Sequence, residues 1–449
     1  MRRDKLITTF ILVGLVAGVI LGQWLHGAAS DPTAVGNQWM DVGKLILVRP
    51  LMLLVLPLVF LSVVVGVTSI GDPSRLGVIG GSTLLYYFST MLAAVILGAV
   101  LVTAISPGVG LSPDAVASLQ DDGAAAYETN SGLRNAMGTA NEKGLAGAWM
   151  NILEQIIPTN FFAELAGGRT LGVIVFALLL GLALAASGTA GAPAIAVFQS
   201  LFDGVMRLVL WILWLTPIGV FMLVTGTVAK IGLGSIAGPL GAYMLTVLAG
   251  LALHAFVTLP LVLMIFTRTN PYAFFFKMRK ALLTAFGTDS SSATLPVTIE
   301  TAIDEGGCSK RSSNFVLPLG ATVNMDGTAL YEAVAVVFMF QLWGIELGVG
   351  ELVIVVVTAT LAAVGAAGIP SAGLVTMVIV VTAVNTSLAG RGIQPLPLEA
   401  IGVIIGVDRI LDMCRTTVNV WGDAVGARII TRLAPDDDDD SDQTSALPA

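Results

Sequence analysis

The sequence predicts an all-α polytopic membrane protein: eight transmembrane helices plus two re-entrant hairpins that enter from opposite sides. Three observations carry that expectation. The chain of 449 residues is 55% apolar and 12% charged, with a mean hydropathy of +0.89, a balance that excludes an ordinary soluble domain. Apolar runs long enough to cross about 30 Å of hydrocarbon recur through the first part of the chain. In the last third, equally apolar runs are interrupted by helix-breaking or ionisable residues, which a bilayer tolerates only where they line a cavity or bind something.

Taken in order, uninterrupted runs near 6–25, 41–70, 78–105, 161–187, 195–229 and 236–267 are six conventional spans. The first follows Arg2-Arg3-Asp4-Lys5 without a small-residue cleavage site, so it reads as a span and not as a signal peptide. The hydrophilic stretch 106–148, rich in Gly, Ala, Asp and Asn, reads as an extracellular loop. Beyond 267 come interrupted runs from Phe274 to Ile303, Phe315 to Trp343, Leu352 to Leu388 and Leu398 to Ile430. Two of them, about 271–308 and 349–388, look like hairpins that enter and return. The tail 433–449 holds most of the acidic excess behind the net charge of −8 and reads as a disordered cytoplasmic segment.

Charge bias orients the layout. Segments placed in the cytoplasm hold Arg2, Arg3, Lys5, Arg75, Arg268, Lys277, Arg279, Lys280, Lys310, Arg311, Arg428 and Arg432; those placed outside hold Arg134, Lys143, Lys230 and Arg391. With both termini cytoplasmic, the number of crossings is even. The first hairpin then enters from the cytoplasm and the second from outside, the sequence pattern of an inverted repeat whose ligand sits where the tips meet.

Catalysis has little to build on. Cys308 and Cys414 suggest neither a disulfide nor a thiolate metal site, and His26 and His254 are isolated in sequence. No enzyme and no nucleic-acid partner is expected. Asn385-Thr386-Ser387 matches a glycosylation acceptor but lies within the second hairpin, so the match reads as chance.

The four interruptions each admit two readings. Ser290-Ser291-Ser292, with Ala293 to Pro296, is either a hairpin tip whose amides and hydroxyls attract a carboxylate or a serine-rich kink. Asn324-Met325-Asp326-Gly327-Thr328 places an unneutralised carboxylate inside a span, so a cation belongs nearby. Carbonyls freed by a break at Gly327 would join Asn324 and Asp326 as hard oxygen ligands; an interhelical hydrogen-bond cluster is the alternative. Gly365 to Gly373, around Pro370, is a movable tip or a close-packed glycine face. In the last span Asp412, Arg415 or Thr416, Asn419 and Asp423 recur at three- or four-residue spacing along one face. Arg415 offers a fork for a carboxylate and Asp412 a partner for an amino group, together a site for an acidic amino acid; an internal ion pair is the alternative.

SSSATLPVT at 290–298, NMDGTALYE at 324–332, AAGIPSAGLVTM at 366–377 and DMCRTTVNVWGD at 412–423 resemble the glutamate transporter family, the dicarboxylate/amino acid:cation symporters, over nearly the whole chain. The resemblance implies sodium-coupled uptake of L-glutamate or L-aspartate across the cell (inner or plasma) membrane by a homotrimer. Within it, a scaffold formed by 1–70 and 161–229 would support a transport unit, 78–105 and 236–432, that moves as an elevator. It implies substrate contacts from Ser290, Ser291, Ser292, Thr328, Ile369, Gly373, Asp412, Arg415, Thr416 and Asn419. It implies one sodium site from Gly320, Asn324, Asn419 and Asp423, and another from Thr322, Met325 and the backbone near Ala363 to Ala366. A third would use Asn324 and Asp326 with Tyr87 and Thr90, although Met91 stands where a hydroxyl residue is usual.

Arg415 is similar to members that carry acidic substrates; neutral exchangers have a non-basic residue there. Glu332 resembles a proton-carrying glutamate, which brings with it potassium-coupled return. Asp289 departs from the family pattern, and Arg409, one turn before Asp412, is its expected partner. Rival expectations are a C4-dicarboxylate or neutral amino acid carrier on the same fold, a substrate-gated anion channel, and more remotely an intramembrane serine hydrolase.

Overall fold

The computed structural model describes residues 2–70, 73–110, 113–129, 159–167, 170–231, 240–364 and 372–434, and these hold helices and no strand. Among the described residues, six helical stretches are long and apolar enough to cross a membrane, including Ile79–Ile105, Gly241–Thr267 and Lys310–Leu342.

The N-terminal part packs through small residues. Helix α1 (Arg2–Ala28) and α2 (Pro32–Gly43), which Asp31 caps by accepting from the Ala34 N–H at 2.9 Å, both lie on a helix at Thr216–Ile231. Gly14, Gly18 and Gly22 recur every four residues, and a Cβ on each would stand 2.8, 2.9 and 2.7 Å from the carbonyl oxygens of Pro217, Phe221 and Thr225. Lipid offers no hydrophobic drive for helix association, so this close backbone approach supplies the van der Waals contact instead. After a π turn at Lys44–Val48, α3 (Arg49–Ile70) packs on later helices: α6 (Phe161–Gly167) and α7 (Thr170–Ala186) join it through the Phe60, Phe161 and Phe176 rings, and α8 (Ala192–Ile212) through Phe198. The single span expected over 195–229 is two helices, α8 and α9 (Thr216–Ile231), joined by a 3-10 turn at Leu213–Leu215. Pro217 sits just after the division, where its ring and missing N–H disturb the hydrogen-bond ladder of the preceding turn.

Between these parts, α4 (Pro73–Ile105) leads into the hydrophilic stretch, which is more than a loop. It contains α5 (Pro113–Thr129), with Leu119 buried and Val116 and Tyr127 packed on the core. Further on, α10 (Gly241–Leu253) and α11 (Leu259–Thr267) are joined by a second π turn, His254–Thr258. Each π turn ends two residues before a proline, Pro50 and Pro260. The missing proline N–H opens the hydrogen-bond ladder, and one wide turn re-closes it.

The remaining helices hold the chemistry. α12 (Pro271–Thr288) starts behind Asn270, whose side chain accepts from the Tyr272 and Ala273 N–H groups. It ends on Asp289 in left-handed backbone (φ 57°), and α13 (Ser291–Asp304) begins at once behind Ser290, whose Oγ accepts from the Ala293 N–H at 3.1 Å. The tip is therefore Asp289 and Ser290, and Ser291 to Pro296 are helical. The Lys280 ammonium, 2.7 Å from each Glu300 oxygen, staples the two arms. The buried Cys308 sits in the turn after α13.

Next come α14 (Lys310–Val323) and α15 (Asp326–Leu342), whose apolar window is enclosed by protein throughout, whereas that of α8 is 11% buried and faces outward. α16 (Val349–Val364) and α17 (Ala372–Gly390) pair along their length, tied at the base by Arg391 to Glu351 at 3.0 Å. The expected tip around Pro370, with Gly365, Ala366 and Ile369, lies outside the described residues, as does the tail beyond 434. The chain closes with a 3-10 turn at Leu398–Ile401 and α18 (Gly402–Leu433); α5 packs on its first turn, where Gly402 abuts Gly123.

Candidate functional site

One chain break and one polar helix face meet at the centre. α14 stops at Asn324 (φ −94°, ψ 84°) and α15 restarts after Met325 (φ −108°, ψ 54°). The break expected at Gly327 thus lies two residues earlier, and Gly327 is helical. Contact, not the break, demands the glycine: a Cβ there would stand 2.5 Å from the Arg415 carbonyl oxygen. Its N–H is among the first-turn donors left without a helical acceptor, and it donates to Asn419 Oδ1 at 2.7 Å. Asn419 Nδ2 reaches Met325 Sδ at 3.3 Å and Thr328 Oγ1 at 3.2 Å, so α18 caps α15.

Arg415 is 1% exposed. Its Nε donates to Asp412 Oδ1 at 2.5 Å and its Nη1 to Asp408 Oδ1 at 3.1 Å, while the Tyr331 ring lies 4.3 Å from Cζ. The Tyr331 hydroxyl also donates to Asp408 Oδ1, at 2.7 Å. Arg415 Nη2 is buried with no hydrogen-bond partner among the described residues. Gly373 faces this group: a Cβ on it would stand 3.1 Å from Nη1 and 3.2 Å from Thr328 Cγ2. Thr416, Ser290, Ser291 and Ser292 are buried, and α12 and α13 pack against α18. The arrangement offers a guanidinium donor for an anion beside the Asp412 carboxylate.

Below it is an oxygen cluster. Asn324 Nδ2 donates to Asp423 Oδ1 at 3.0 Å, and Thr90 Oγ1 donates to Asn324 Oδ1 at 3.4 Å. A Cβ on Gly320 would collide with the Asp423 carboxylate and the Tyr87 hydroxyl, and one on Gly422 with Asp326 Oδ2. The Tyr87 hydroxyl donates to the Val316 carbonyl at 2.6 Å and that of Tyr86 to the Gly422 carbonyl at 2.8 Å. His254 Nε2 lies 3.1 Å from Asp326 Oδ2, both side chains fully buried. The histidine that looks isolated in sequence is therefore the partner that Asp326 lacks in sequence. Asp326 Oδ1 is unpartnered among the described residues. Carboxylates, amides and carbonyls suit a hard cation, and no group of three His, Cys, Asp or Glu side chains forms a metal site among the described residues.

Some expected members stand apart. Asn419 serves the Met325–Thr328 break, one turn from Asp423, and the Thr322 hydroxyl donates within its own helix to Leu319 at 3.0 Å. Met91 is fully buried. Glu332 Oε1 accepts from the Thr376 hydroxyl, and Oε2 is buried and unpartnered among the described residues. His254, Tyr86, Asp408 and Tyr331 escaped sequence reasoning as site residues. Of these only Asp408, on the same span as Asp412, carried a usable signal.

Comparison with known proteins gives the family. The profile of the Sodium:dicarboxylate symporter family matches residues 7–433. The chain is 39% identical to Excitatory amino acid transporter 3 of Mus musculus over 466 residues, 97% of this chain and 87% of the relative. It is 34% identical to an Excitatory amino acid transporter of Caenorhabditis elegans (99% and 91% covered) and 35% identical to the human Neutral amino acid transporter B(0) (95% and 80% covered).

Proposed function

The chain belongs to the sodium:dicarboxylate symporter family, and on that premise we propose that it is a multi-pass membrane carrier that moves acidic amino acids, L-glutamate or L-aspartate, with sodium. The observation that carries the substrate class is Arg415: buried, braced by Asp408 and Asp412, its guanidinium facing Gly373 and its Nη2 unpartnered among the described residues. A substrate side-chain carboxylate takes that guanidinium, its amino group takes Asp412, and its main-chain carboxylate takes the serine-rich start of α13. The relatives' names span excitatory and neutral amino acid transporters, and a buried cation at 415 selects the acidic class.

Sodium occupies the oxygen cluster around Asn324, Asp326 and Asp423 together with the break at Asn324 and Met325. Ligands that order the same residues raise each other's affinity, and Asn419 joins the break to Thr328, so ion and substrate sites are coupled. Glu332 carries a proton, with potassium driving the return; its buried, half-satisfied carboxyl supports this role. Eight crossings with cytoplasmic termini, re-entrant α12–α13 and α16–α17 pairs, a homotrimer and an elevator movement complete the reading. The packing of α1 and α2 on α9, and of α7 and α8 on α3, which itself lies against α13 and α14, supports a scaffold around the buried α14, α15 and α18.

Uptake into proteoliposomes tests the assignment. Arg415→Ala should abolish glutamate and aspartate uptake while sodium binding survives, and unchanged uptake would sink it. Competition by succinate against aspartate separates a C4-dicarboxylate carrier, and Glu332→Gln should make uptake insensitive to a pH gradient.

A further inference from the structure

The first hairpin turns within two residues, and the first of them is charged. Asp289 closes α12 in left-handed backbone (φ 57°, ψ 34°), and its carboxylate is fully buried without a hydrogen bond among the described residues. Arg409 Nη1 on α18 stands 2.5 Å from it, with the Arg409 side chain 18% exposed. Arg409 and Asp412 are one turn apart, so the residue that holds the hairpin tip and the residue that holds Arg415 share a helix face. On the hairpin side Asp289 is bonded through the chain to Ser290, the cap of α13.

Resting on the transport reading, we infer that Asp289 and Arg409 form a positioning pair that clamps the serine tip to α18 and so fixes the distance between the α13 N-terminus and the Asp412–Arg415 fork. The tip has no slack with which to find that distance, because only Asp289 and Ser290 separate the two helices. A buried carboxylate in such a setting stays only while a cation faces it. With Asp408, Asp412 and Arg415, the pair makes a group of three acids and two guanidiniums. Its own charges cancel. Removing both members leaves the net charge around the fork unchanged, whereas removing one shifts it by a unit and strands the other.

That asymmetry sets the test, a double-mutant cycle on uptake by full-length protein in proteoliposomes. Asp289→Asn and Arg409→Gln should each raise KM for aspartate at least tenfold with maximal rate within twofold. The combined variant should fall well below the product of the single effects, and the exchange D289R/R409D should recover most of the loss. Multiplicative single effects, an exchange no better than the singles, or singles at wild-type KM would each overturn the clamp. If the singles fail to accumulate, Asp289→Glu and Arg409→Lys keep both charges and displace them; a several-fold rise in KM supports the clamp and an unchanged KM overturns it. Wild-type uptake alone decides whether the substrate is an acidic amino acid. The cycle is a ratio among variants on whichever substrate the wild type carries, so the two ideas fail separately.

Discussion

Gly327→Ala adds one methyl group where three backbone atoms of Arg415 already stand: the carbonyl oxygen at 2.5 Å, Cα at 2.9 Å and the carbonyl carbon at 3.0 Å from the new Cβ. None can rotate away, so α15 and α18 must separate. Ordinary contact begins at 3.4 Å, which makes the shortfall 0.9 Å (3.4 less 2.5). The Gly327 N–H to Asn419 bond of 2.7 Å would then stretch to about 3.6 Å (2.7 plus 0.9), beyond hydrogen-bonding range. Overpacking of this kind costs about 1–3 kcal/mol, and losing the buried bond adds about 1 kcal/mol. Together these predict a roughly 30- to 700-fold weaker coupled binding of sodium and substrate at 1.4 kcal/mol per decade. The assay is aspartate KM and half-saturating sodium in proteoliposomes, with Gly81→Ala as control because a Cβ there meets nothing within 4 Å. If both constants for Gly327→Ala stay within twofold of wild type, the backbone contact does not hold the site and the reasoning fails.

Three further predictions rest on separate contacts. Tyr331→Phe keeps the ring beside Arg415 and deletes the donor to Asp408, so aspartate KM should rise by about 1 kcal/mol, a few-fold, with maximal rate unchanged. Lys280→Met should lower thermal stability in detergent by roughly 3–5 kcal/mol, and Lys280→Met with Glu300→Leu should regain most of it, since a buried ion pair is dispensable as a pair. His254→Ala should weaken sodium binding roughly 10- to 100-fold by releasing Asp326 from its orienting partner; a sodium titration of substrate binding checks this, and unchanged affinity would remove His254 from the site.

The interruptions were legible because a bilayer makes every polar group conspicuous against apolar sequence. Asn324 to Thr328 stood out for that reason, yet the residue at the break was misread. A glycine signals freedom of backbone or closeness of contact, and nothing local says which; here its neighbour is the Arg415 backbone. His254 looked isolated because Asp326 is 72 residues away. Asp289 and Arg409 could be paired in advance, since Asp289 departs from the pattern of the family that the chain resembles and Arg409, one turn before Asp412, carries the complementary charge. The helix at 113–129 was hidden by its Asp and Gly content, and the turn at 213–215 by a run of large apolar residues around Pro217.

The π turn at His254–Thr258 gives this span a counting property. A wide turn holds one residue more than an α-helical turn of the same height. Deleting a single residue between 254 and 258 would leave an apolar helix of nearly the same length, indistinguishable by composition from the original. The α-helical turns on either side would then join directly, and side chains before and after the wide turn would keep their facing. A deletion inside Gly241–Leu253 has no such relief: residues ahead of the gap would swing by roughly 100° about the axis, and the Tyr243 ring, stacked on Phe338 at 4.6 Å, would leave register if the gap lay beyond it. The span therefore has one residue to spare at the wide turn and none in the helix before it.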